Sequence, residues 1–139
     1  MNSLIKKKAQ RGTTLVETLV ALVVLSVGLL GIAALQMASL TNNRGAHLRS
    51  QAAVLAYDIA DRMRANRNVA MGSGYLVNYG ATVAGTTINA LDIQAWVAAL
   101  RNTLPSGQGQ ITADGNMMVI SVRWTDSLGA QTFVTRTQL

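Results

Sequence analysis

The chain has 139 residues, with 12 Lys plus Arg against 6 Asp plus Glu, a formal charge of +6, one His and no Cys, which excludes disulfide scaffolds and thiolate metal sites. Half of the residues are hydrophobic and only 13% are charged, whereas a small soluble domain carries about a quarter charged. The averages therefore blend regions of different character, in a length that holds one domain or one domain with an appendage.

The charge is concentrated at the start. Lys6, Lys7, Lys8 and Arg11 lie within the first twelve residues, so without that stretch the net charge becomes +6 − 4 = +2. After Gly12 the sequence turns apolar through Leu15, Val16, Leu19 to Leu25 and on to Leu35, and no charge falls between Thr18 and Asn43. As a helix, residues 14 to 35 extend about 33 Å, enough to cross a hydrocarbon core of about 30 Å. Three devices share this pattern: a cleaved secretory signal, a permanent signal anchor, and a span cleaved on its cytoplasmic side. The run exceeds the roughly 7 to 15 apolar residues of a secretory signal, and Gly31-Ile32-Ala33 is only a weak small-x-small site. In each case the basic cluster stays cytoplasmic and the C-terminal part is sent outward.

Glu17 interrupts this apolar stretch. An ionised carboxylate costs roughly 2.5 to 3.5 kcal/mol at mid-membrane and less near an interface. It either snorkels to the headgroups or pairs with a positive charge inside an assembly.

Gly12-Thr13-Thr14-Leu15-Val16-Glu17, after a short basic leader, resembles the class III signal of type IV pilins and type II secretion pseudopilins. The resemblance implies that a prepilin peptidase cuts between Gly12 and Thr13, that the new amine of Thr13 is methylated, and that Glu17 pairs with such an amine during subunit packing. Thr13 stands where the family usually has Phe. Simple electrostatics agrees, since an α-amine is cationic below a pKa of about 8 and is a natural partner for a carboxylate in low dielectric.

The helical pattern continues past the apolar run. Leu48, Ala52, Leu55, Ile59 and Met63 recur at helical spacing, with Arg49, Gln51, Asp58, Asp61 and Arg62 mainly elsewhere on the wheel. Asp58 and Arg62 are four apart with the acid first, the favoured order for a surface pair. No proline intervenes before Pro105, so one helix is predicted from about Thr14 to about Asn66, on the order of 80 Å long. Gly28 and Gly31 weaken it by ~1 kcal/mol each relative to Ala, and fit the small-residue usage of membrane helices or close helix packing. The stretch from Gln51 to Asn66, Gln-Ala-x-x-Leu-Ala-x-Asp-x-x-Asp-Arg-Met-Arg-x-Asn, is similar to the second half of the N-terminal helix in the PilV group of minor pilins.

Residues 68 to 88 are rich in Gly, Ala, Asn and Thr, with Tyr75 and Tyr79 interspersed, and are predicted as loop. A second helix follows, with Asn89 as its cap, Asp92 in a capping-box position, Ile93, Trp96, Val97, Leu100 and Leu104 on one face, and Pro105 as its stop. Met118, Ile120, Val122 and Trp124 alternate with polar residues at period two. Turns at Asp114-Gly115 and at Asp126 to Gly129 join this strand to one near Gln110 to Ala113 and one near Gln131 to Thr137, a three-stranded antiparallel meander on the helix. Trp96 and Trp124 lie on the apolar sides of their elements and read as core. The run from Asp92 through Trp96, Leu100, Leu104, Pro105, Gly107 and Gly109, with the Val122-Arg123-Trp124 strand, also resembles the outer domain of PilV-like proteins.

The expected fold is α+β and pilin-like, a long N-terminal helix with a small C-terminal antiparallel sheet domain. Its parts are a leader at 1–12, a transmembrane or filament-core half-helix at 13–37, an amphipathic half at 38–67 and a globular domain at 68–139. No enzyme is expected: His47 has Ser50 within reach but no third orienting group, and neither a nucleotide-binding glycine motif nor a metal-ligand cluster is present. No cofactor is expected. Arg62, Arg64 and Arg67 form a weak electrostatic footprint for DNA, and a solvated helix end is the better reading.

The resemblance implies a minor pilin similar to PilV, with the prepilin peptidase, other minor pilins, the major pilin, a PilY-type tip adhesin and inner-membrane lipid as partners. Its expected location is the inner membrane with the outer domain in the periplasm, then the pilus. A type II secretion minor pseudopilin and a membrane-anchored binding domain outside any filament are the alternatives.

Overall fold

The computed structural model describes residues 13–139, so Gly12 and the rest of the expected leader lie outside the described residues. Six elements follow in order: α1 Thr13–Ala65, α2 Arg67–Met71, α3 Ile88–Thr103, β1 Gln108–Asp114, β2 Met117–Asp126 and β3 Gly129–Gln138. This is the α+β, pilin-like arrangement expected from the sequence, a long N-terminal helix followed by a small three-stranded antiparallel sheet. The chain divides into two units, one ending at Leu40 and the other running from Thr41 to Leu139.

In the first unit the helix carries its own polar groups. The Thr18 hydroxyl donates to the Thr14 carbonyl and the Ser26 hydroxyl to the Leu22 carbonyl, both at 2.7 Å, so neither needs an outside partner. The apolar side chains from Leu15 to Leu40 are exposed around the helix. Apart from the helix's own nearby backbone, no atom of the described residues lies within 4 Å of where a Cβ on Gly28 or Gly31 would stand.

The second unit has a core. The helical stripe of α1 is buried at Leu48, Ala52, Ile59 and Met63, with Leu55 at its edge and packed against the cluster. Ala56 and Ala60 complete the same face; with Ala52 they form a row at spacing four, small enough for other elements to approach the backbone closely. Against them lie Tyr75, Ile93, Trp96 and Leu100 and the inward face of β2, Met118, Ile120, Val122 and Trp124.

The sheet order is β1-β2-β3 with antiparallel neighbours throughout. Ile111 pairs with Ile120, and Val122 with Phe133, so the alternating pattern read from β2 places its apolar set on one face. Gly115, at the first position of the β1–β2 turn, has φ +57°, as a type II′ hairpin turn requires. The strands run two to three residues longer than their apolar cores, because ladder hydrogen bonds continue where burial has ended.

Two local expectations are corrected. The segment from residue 68 is not wholly loop: α2 continues after a break at Asn66, burying Ala70, and Val77 bridges to Ile111 on the open edge of β1. Asn89 does not cap α3. The cap position is Thr87, without a side-chain cap bond, and Asn89 sits inside the helix, where its amide donates to the Gly74 carbonyl at 2.6 Å. Inside the helix Asn89 is out of the cap position from which its side-chain oxygen could accept a backbone N–H, and its amide NH2 ties down the preceding loop instead. Pro105 does mark the end of α3, whose last turn closes through Leu104 N–H on the Leu100 carbonyl at 2.9 Å.

Candidate functional site

The first candidate is the segment beginning at Thr13. It is helical from Thr13 onward, and Glu17 is exposed on the helix among Leu15, Val16, Leu19 and Val20. Among the described residues Glu17 makes no salt bridge. An exposed carboxylate ringed by apolar side chains is presented to whatever surrounds the helix. The helix contains a window long and apolar enough to cross a membrane, with none of that window buried in the protein.

The second candidate is the polar end of α1 and what it holds. Arg62 reaches Asp58 at 3.1 Å, one turn back, and Asp92 on α3 at 3.2 Å. Tyr75 donates its phenol to the other oxygen of Asp92 at 2.6 Å and accepts from the Asn66 amide at 3.3 Å. Asp92 therefore joins α1, the loop after α2 and α3 at one carboxylate. Its hydrogen bond is the main reason that the Arg62 guanidinium is held above its ordinary value, against the opposing effect of burial. Burial first and the Asp92 bond second push the Tyr75 phenol up.

Asp92 thus has another role than the capping box expected of it, and Tyr75 reads in the sequence only as an aromatic in a loop. The one sequence signal for it is a large aromatic in a segment otherwise made of small and polar residues. Its partner lies 17 positions away, and no local period reports such a contact.

The arginines are already engaged. Arg62 is shared by two acids, and Arg64 donates to Asp61 and to the Thr137 hydroxyl, both at 2.6 Å. Arg67 is exposed. Two of the three cations in the weak basic cluster are therefore neutralised within the domain. Arg123 stacks over Tyr79 at 4.4 Å and donates to Gln108 at 2.5 Å. His47 and Ser50 are both exposed on α1. Among the described residues no group of three His, Cys, Asp or Glu side chains is placed to hold a metal ion.

Residues 7–33 match the family described as the prokaryotic N-terminal methylation motif. The matched stretch includes Gly12, Thr13 and Glu17 and ends within the exposed apolar part of α1. No curated protein and no solved structure matches the chain. The motif indicates a type IV pilin-like or pseudopilin protein, a structural class, carrying a signal of the kind processed by prepilin peptidase. With the apolar helix it fits a single-pass inner-membrane anchor.

Proposed function

We propose that this chain is a minor pilin similar to PilV that helps prime type IV pilus assembly in a small complex with other minor pilins. The observation that carries the pilin part is the methylation motif at residues 7–33 running into an exposed apolar helix, with a small α+β domain after it. What supports the PilV part is the Gln51 to Asn66 stretch, whose Ala52, Leu55, Ala56 and Met63 pack in the core while Asp58, Asp61, Arg62, Arg64 and Asn66 make polar contacts.

In this reading the precursor inserts in the inner membrane with its C-terminal domain in the periplasm. Prepilin peptidase cuts between Gly12 and Thr13 and Thr13 is N-methylated. Glu17, without an ion pair among the described residues, takes the N-terminal amine of a neighbour, which sets one axial stagger because an unmatched carboxylate in an apolar bundle is costly. Other minor pilins and the major pilin are the partners, and a PilY-type adhesin is carried at the tip.

The intact mass of the mature protein tests the processing steps together. The expected mass is that of residues 13–139 plus one methyl group. An unprocessed mass, or a cut at any other bond, overturns the pilin reading. Co-purification with the other minor pilins, and loss of piliation on deletion, tests the priming role.

A further inference from the structure

The two edges of the sheet differ. In a hairpin closed by two residues the closing pair is hydrogen-bonded, and bonded and unbonded pairs then alternate along the ladder. The β1–β2 turn is closed by Asp114 and Met117, so Ile111 aims its N–H and C=O away from β2. Both groups meet Val77, whose N–H donates to the Ile111 carbonyl at 3.1 Å and whose carbonyl accepts from the Ile111 N–H at 2.8 Å. The loop after α2 thereby occupies the middle of the β1 edge.

The same rule, followed from the Asp126 and Gly129 pair, turns Gln131, Phe133, Thr135 and Thr137 toward β2 and Ala130, Thr132, Val134 and Arg136 outward. Among the described residues nothing bonds the backbone N–H or C=O of these outward residues, and all of them are exposed. Phe133, on the inward face, stays half-buried beside the core, and Val134 on the other face is 48% exposed. Open edges are ordinarily blunted by short strands, prolines, bulges or charges. β3 runs for 10 residues in unbroken register with β2, holds no proline and carries a single charge, Arg136.

We propose that the β3 edge takes an extended segment of a partner protein as a fourth strand, with an acidic side chain set opposite Arg136. A row of outward N–H and C=O groups is complementary to another extended backbone, and a fourth strand also covers Phe133. Arg136 is exposed and makes no salt bridge among the described residues, which selects an acid as its cross-strand neighbour. A second copy is the poorer occupant. Antiparallel pairing of two β3 strands about Val134 sets Arg136 opposite Thr132 of the other copy, and the charge stays unmatched. All of these residues belong to the unit from Thr41 to Leu139.

The probe is a fluorescent peptide with the sequence of β3 and Thr132→Asp, which puts the acid opposite Arg136 when the strands pair about Val134. The unaltered β3 peptide is its control. Binding to the full chain in detergent is read by anisotropy and by amide hydrogen exchange. Exchange is expected to slow at Thr132, Val134 and Arg136 with α3 unchanged, and the aspartate peptide to bind several-fold more tightly than its control at low salt. Val134→Pro in the full chain removes an outward N–H and no ladder bond, and is expected to weaken binding about tenfold. Unchanged exchange at Thr132, Val134 and Arg136 of the native chain, with the peptide in large excess, overturns the edge as a strand acceptor whatever Val134→Pro does to folding. Undiminished binding to a Val134→Pro chain that melts like the native one overturns it as well. Equal binding of the two peptides overturns the acidic partner. Slow exchange at the same amides without peptide, with a doubled mass in sedimentation, puts a second copy on the edge and overturns the partner strand.

Discussion

The Tyr75 phenol donates to Asp92 at 2.6 Å, and the other oxygen of that carboxylate accepts from Arg62 at 3.2 Å. One acid on α3 thereby holds both the loop after α2 and the end of α1. Replacing it leaves the buried phenol without its acceptor and the Arg62 guanidinium with Asp58 alone. Asp92→Ala is expected to cost about 1 to 3 kcal/mol, and Asp92→Asn less, because the amide oxygen still accepts. Denaturant unfolding of the full chain in detergent measures both.

The same contact makes stability depend on alkaline pH. The folded state raises the Tyr75 phenol above its ordinary value of 10.0, through burial and then through Asp92. Between the ordinary and the raised value the unfolded chain has lost the phenolic proton and the folded chain keeps it, so unfolding is favoured as pH rises. The contribution of Tyr75 is therefore complete below about pH 10 and is lost as pH climbs through the folded value. Tyr75→Phe should be less stable than the native chain at pH 8, with the gap closing above pH 10. A gap independent of pH would mean that the phenol does not titrate differently in the two states.

Gly107 and Gly109, part of the motif after Pro105, are contact glycines. A Cβ on Gly109 would overlap the Trp96 ring and Leu100 Cδ1, and one on Gly107 would overlap the backbone carbonyl of Leu100. Each Gly→Ala change is expected to destabilise by about 1 to 3 kcal/mol through overpacking. Gly107→Ala should be the worse of the two, because a carbonyl fixed in the last turn of α3 yields less than a side chain. Thermal melts of the two variants decide the order.

The two tryptophans differ in one respect. Both are buried, but Trp96 Nε1 donates to the Leu55 carbonyl at 2.9 Å, whereas Trp124 Nε1 has no hydrogen-bond partner among the described residues. Trp96→Phe loses ring volume and a hydrogen bond, while Trp124→Phe loses ring volume and removes an unsatisfied donor. Trp96→Phe should therefore cost more, by roughly 0.5 to 1.5 kcal/mol. Equal losses would mean that the Trp124 indole is satisfied in solution.

Glu17 is exposed among apolar side chains and has no described ion pair. On the proposed reading, Glu17→Ala leaves membrane insertion unchanged and lowers incorporation into filaments several-fold. Unaltered incorporation, assayed by blotting sheared pili against membranes, would mean that Glu17 only snorkels to the headgroups.

Much of this architecture is legible in linear order because its signals are local. The apolar run and its basic flank, the stripe from Leu48 to Met63, the alternation through β2 and the stop at Pro105 each report on a few neighbouring residues. Burial then follows from period alone. The class of the protein is equally local, since the methylation motif lies wholly within residues 7–33.

What the tertiary structure decided depends on partners far apart in the chain. Asn89 and Asp92 have the composition of a helix start, and only the folded chain diverts Asn89 to Gly74 and Asp92 to Tyr75 and Arg62. Arg62, Arg64 and Arg67 read as one basic cluster until Asp92 and Thr137 arrive beside the first two. Short-range spacing encodes which face of an element is apolar. Which polar groups meet is set by how the elements dock, and there a hydrogen bond to a distant side chain displaces the local one that the same residue could have made.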